Sequence, residues 1–152
     1  MPDMTQNKET ISALFVCTGN SCRSQMAEGF IRAWAGDRVS VMSAGSYPAA
    51  GVSLLAVEVM KEVGIDISGQ NPKSLSSVQD RDFDWVITLC DSAKQACPIF
   101  HSRSGAAKHL HWSITDPYEA SEDAEELKEL YREVRDEIGE RIRRWLREEL
   151  GQ

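Results

Sequence analysis

The sequence predicts a single α/β domain in which a four-stranded parallel sheet carries helices on both faces. Short runs of Val, Ile, Leu and Phe alternate with longer segments of helical period, the order that builds βαβ units. Polar or small residues follow the apolar runs, which places candidate chemistry at the carboxyl ends of the strands, where open parallel sheets hold ligands. A length of 152 residues suits one domain with a real core.

In chain order, residues 1–10 are polar and mixed in charge, read as a loose tail, and show no signal-peptide pattern. The domain is expected over residues 11–152. Residues 11–16 form the first buried strand and 24–34 the helix after it. Residues 39–43 are a second strand ending at Ala44 and Gly45. Residues 53–63 are a helix with Leu55, Val59 and Val63 at near-helical spacing, stopped by Gly64. Residues 66–77, rich in Gly, Ser, Asn and Pro, read as loop or short helix, 85–89 as a third strand and 109–112 as a weaker fourth. From about Glu122 a long helix shows Leu127, Leu130, Val134, Ile138, Ile142, Trp145 and Leu146 on one face.

Lys and Arg number 17 against 24 Asp and Glu, a net charge of −7. That balance argues against nucleic-acid and anionic-membrane partners, so any anion site must make its own positive field. No apolar run approaches membrane-spanning length. The four cysteines, with no secretion signal and a core that needs no staples, point to catalytic, metal-binding or buried thiols in a cytoplasmic protein. His101, His109 and His111 form no zinc spacing with them, so no metal is expected.

The most informative stretch is Cys17-Thr18-Gly19-Asn20-Ser21-Cys22-Arg23-Ser24. It joins a strand to a helix, so backbone N–H groups and a helix N-terminus converge on one point, as in oxyanion sites. Arg23 supplies a planar fork for two oxygens of the anion. A thiolate is favoured at a helix N-terminus beside a cation, which makes Cys17 the candidate nucleophile. Cys22 lies in the same loop but is expected to be buried.

Cys90 follows the third strand, at the same sheet edge as Cys17, and Cys97 comes seven positions later. In an intact helix two such residues stand about 10 Å apart, too far for a disulfide, so a bridge between them requires unwinding. From spacing alone, a buried Cys90 with an incidental Cys97 is an equal reading. Asp116, before Pro117, follows the fourth strand. It can reach the Cys17 loop as a proton donor, or simply shape a turn.

Residues 17–29 resemble the active-site loop of thioredoxin-coupled arsenate reductases, which share their fold and CX5R loop with low-molecular-weight tyrosine phosphatases. The resemblance continues through Ser43-Ala44-Gly45, residues 60–68 and 86–90, Cys97-Pro98, His111-Trp112, Asp116-Pro117 and residues 134–138. It implies arsenate as substrate, no tightly bound cofactor, and thioredoxin as reductant, although a glutaredoxin-type donor could resolve the same disulfide; the chain is expected to act as a monomer. It also implies the residue roles: attack by Cys17, an oxyanion held by Arg23 and the loop amides, proton donation by Asp116, and a disulfide relayed through Cys90 to Cys97.

Some members of that family hold a potassium ion beside the loop. Asn20, Glu28 and Ser43 match its ligands, but Asn71 and Lys73 stand where those members have Thr and Asp. Lys73 is expected to replace the ion, or else to be a solvated loop lysine. The alternative function is a low-molecular-weight protein tyrosine phosphatase, which would use Cys17, Arg23 and Asp116 but leave Cys90 and Cys97 without a role. A non-enzymatic oxyanion or redox sensor is the rival from another class.

Overall fold

A computed structural model of the chain describes residues 10–90, 100–102 and 105–151. Apart from Thr10, the expected tail lies outside the described residues, and so does Cys97.

The elements run β1 (Ile11–Cys17), α1 (Arg23–Ala35), a 3₁₀ turn (Gly36–Arg38), β2 (Val39–Gly45), α2 (Leu54–Glu62), α3 (Leu75–Val78), β3 (Trp85–Thr88), β4 (His101–Ser102), β5 (Gly105–Ala106), β6 (Lys108–His111) and α4 (Ala124–Leu150). The main sheet has the order β2-β1-β3-β6, and each neighbouring pair is parallel. The chain leaves β1 for one edge and returns to pair β3 on its other side. The carboxyl end of β1 is therefore the topological switch point, where such sheets open a crevice for ligands.

Alternation along β1 sorts its side chains between two cores. Ala13, Phe15 and Cys17 face a cluster built with Met26, Phe30 and Ile31 of α1, Val59 and Met60 of α2, and Val134, Ile138, Ile142 and Trp145 of α4. Leu14 and Val16 face Leu75 and Val78 of α3, with Phe83, Phe100 and Ala107. Among the described residues, helices thus lie on both faces, unevenly: three long ones on one, the single-turn α3 on the other.

Several boundaries and one element differ from the sequence reading. The fourth strand spans Lys108–His111 rather than 109–112, although the Trp112 amide still reaches Thr88 O at 2.8 Å. The β4–β5 hairpin was not anticipated. Next to it, Phe100 meets Phe83 edge-on, with ring centres 5.5 Å apart, and so closes the second core. Helix α4 begins after Asp123, whose carboxylate accepts from the Glu125 and Glu126 amides as an N-cap. Its buried face includes Tyr131, Arg135 and Gly139 besides the apolar stripe.

Candidate active site

Residues 18–22 connect the end of β1 to the first turn of α1, and their carbonyls are engaged outside the loop. Thr18 O accepts from the Tyr47 amide, Gly19 O from Ala49 and Ser21 O from Ser53, each at 2.8 Å. Asn20 O accepts from Gln25 Nε2 at 2.9 Å. A trans peptide points its N–H opposite its carbonyl, so the amides of Gly19, Asn20, Ser21 and Cys22 turn the other way. Such a set of amides could donate to an oxyanion.

Asn20 is the hinge of this arrangement. Its φ of 49° lies in the left-handed region, which Asn tolerates better than most side chains. Fully buried, it donates from Nδ2 to Ser24 Oγ at 2.7 Å and accepts from the Lys73 amide at Oδ1, also 2.7 Å. Ser24 Oγ lies 2.9 Å from Cys17 Sγ. With its oxygen accepting from Asn20, the Ser24 hydroxyl proton can serve the Cys17 sulfur.

Gly45, which the sequence reading placed at the end of a strand and in the family resemblance without a role, packs against the loop. A Cβ there would lie 2.5 Å from Thr18 O and 3.0 Å from Asn20 N, so the close approach of β2 to the loop requires glycine.

Arg23, buried at 6% exposure, donates from Nη1 to Ile114 O at 3.0 Å and pairs from Nη2 with Asp116 at 3.4 Å. Asp116 therefore sits at the site, half-exposed, and shapes its own turn by accepting from the Tyr118 amide. Cys90 also reaches the loop: its Sγ lies 3.2 Å from Thr18 Oγ1. Cys22 is buried as expected, and burial pushes its thiol well above the usual range, which marks it as inert.

Behind the loop, Glu28 is a buried carboxylate at 3% exposure. Its Oε1 accepts from Ser43 Oγ at 2.6 Å and faces Lys73 Nζ at 3.8 Å. Its Oε2 takes Arg32 Nη2 at 2.7 Å and Nε at 3.0 Å. Asn71 O accepts from Lys73 Nζ at 2.8 Å and from Gln25 Nε2 at 3.0 Å. These residues do not fit the potassium ion that the resemblance admits. The oxygens it would seek already hold donors, and two cationic side chains stand beside the carboxylate. Among the described residues, no group of three or more His, Cys, Asp or Glu is placed to hold a metal ion.

The Cys17 sulfur, the loop amides, the Arg23 guanidinium and the Asp116 carboxyl thus meet at the switch point of the sheet. The model of the low-molecular-weight phosphotyrosine protein phosphatases matches residues 12–152. The chain belongs to that family. Within this phosphatase family, it is 45% identical over 137 residues to an arsenate reductase of Halalkalibacterium halodurans, covering 90% of this chain and 94% of that one. The solved structure of an arsenate reductase in its oxidised state superposes with a TM-score of 0.72 at 34% identity, over 86% of this chain and 92% of that one. The thioredoxin-dependent arsenate reductase of Corynebacterium glutamicum superposes with a TM-score of 0.67 at 31% identity, over 96% of this chain and 65% of that one.

Proposed function

We propose that this chain is an arsenate reductase that works through a relay of three cysteines. The observation that carries the reading is the contact between Thr18 Oγ1 and Cys90 Sγ at 3.2 Å. It sets a second sulfur at the lip of the anion loop, where a phosphate-ester hydrolase has no use for one. The relatives named above are arsenate reductases, which supports the same conclusion.

The Cys17 thiolate attacks arsenic, a sulfur–arsenic bond forms, and one arsenic–oxygen bond breaks as Asp116 protonates the departing oxygen. Arg23 and the loop amides hold the remaining oxygens. The Cys90 thiolate then attacks Cys17 Sγ, and the sulfur–arsenic electron pair passes to arsenic. Arsenate is thereby reduced by two electrons to arsenite, and a Cys17–Cys90 disulfide remains. Cys97 attacks Cys90 and frees Cys17. Thioredoxin, supplying a dithiol, reduces the Cys90–Cys97 bond. The setting is the cytoplasm, where thiols are kept reduced, and the chain acts as a monomer.

The test is arsenate-dependent NADPH oxidation coupled through thioredoxin and its reductase. Wild type sustains turnover, whereas Cys97→Ser stops after about one equivalent of arsenate. Sustained turnover by Cys97→Ser would refute the relay. The Arg23–Asp116 pair also suits a phosphate ester, so weak hydrolysis of small aryl phosphates is expected alongside.

A further inference from the structure

Glu28 sets the problem. A carboxylate at 3% exposure is costly unless positive charge and hydrogen-bond donors surround it. A cation drawn from solvent can supply that charge, or a side chain can.

Lys73 engages the anion loop and its carboxylate at once. Its amide donates to Asn20 Oδ1 at 2.7 Å, and its carbonyl accepts from Gly45 N at 2.8 Å. Its ammonium donates to Asn71 O at 2.8 Å and faces Glu28 Oε1 at 3.8 Å. One residue thus fastens the left-handed Asn20, the close-packed Gly45 and the buried charge. Arg32 takes the other carboxylate oxygen from a more exposed position, its side chain at 58% against 28% for Lys73. A monovalent ion on Oε1 would meet the ammonium within a few ångströms and be repelled. We infer that the Lys73 ammonium is the built-in counter-cation on the Oε1 side of Glu28, complementing Arg32 on Oε2, and that the site takes no potassium. This inference goes beyond the proposed function, because it holds whichever oxyanion the loop receives.

The test reads stability. Melting temperatures of the full chain are compared in potassium, sodium and choline chloride at equal ionic strength. Wild type melts at the same temperature in all three. Lys73→Met melts lower than wild type in choline chloride, by roughly 3 °C or more. Lys73→Asp, which removes the ammonium and adds a carboxylate, melts lower in sodium and choline salts and recovers in potassium. A wild-type melt that rises with potassium but not with sodium overturns the inference. A Lys73→Met variant as stable as wild type does so too, and that variant decides the matter if Lys73→Asp does not fold. A folded Lys73→Asp indifferent to the cation overturns the claim that the ammonium stands in for an ion.

Discussion

At the scale of single residues, the site depends on where backbone groups point, and side chains far apart in sequence set that direction. Asn20 keeps its left-handed turn because three of its polar atoms are held. Gly45 lets the neighbouring strand approach to a distance that any Cβ would close. Gly45→Ala is expected to lower stability by about 1–3 kcal/mol, as overpacking does, and to weaken binding of inorganic phosphate at the loop. Thermal melts and phosphate titration would show it; an unchanged melt with unchanged affinity would contradict the account. The placement of Cys17, Arg23 and Asp116 at one sheet edge was legible in the sequence, because the loop and the Asp116 turn each follow a strand of the expected parallel sheet. The roles of Tyr47, Ala49 and Ser53 were not, since their contacts to the loop are made by backbone amides that any residue carries. Gln25 was hidden for another reason: its side-chain amide reaches Asn20 O nearby, and also Asn71 O, a contact that exists only once that distant segment folds against the loop.

At the scale of elements, α2 and α4 are clasped by one carboxylate. Glu62 accepts from Arg132 Nη2 at 2.8 Å and Nε at 2.9 Å, and from Arg135 Nη1 at 2.8 Å. These bonds, those from Arg132 foremost, hold Glu62 at about 2, below its usual 4.5. A carboxylate depressed by folding adds stability above its unfolded value and loses it as pH falls through the folded one. The clasp is therefore complete above about 4.5 and weakens down to about 2. Between those limits the melting temperature of wild type should fall more steeply than that of Glu62→Gln; parallel curves would deny the clasp. The apolar runs of β1 and β3 and the stripe on α4 were readable because pattern and burial agree. The β4–β5 hairpin was not, because strands of two residues show no period. Tyr131 and Arg135 escaped for another reason: each buries an apolar body while its polar end finds a partner, Ser53 Oγ for the tyrosine and Val59 O for the arginine.

At the scale of the molecule, a chain of net charge −7 gathers the cations Arg23 and Lys73 with their carboxylate partners from distant segments to one sheet edge. The switch in strand order sets Cys17 at the end of β1 and Cys90 just past β3, with Asp116 beyond β6 and Lys73 ahead of α3. That convergence brings four separate motifs to one sheet edge; the alternation of strands and helices anticipated it for Cys17, Cys90 and Asp116, and the family resemblance for Lys73. In the proposed reaction, electrons leave the site through Cys90. Mass mapping of Cys97→Ser after exposure to arsenate, without any reductant, tests it most directly. The account predicts one arsenite released per chain and a Cys17–Cys90 disulfide. Arsenite released with Cys90 still reduced, or no arsenate consumed, would contradict it.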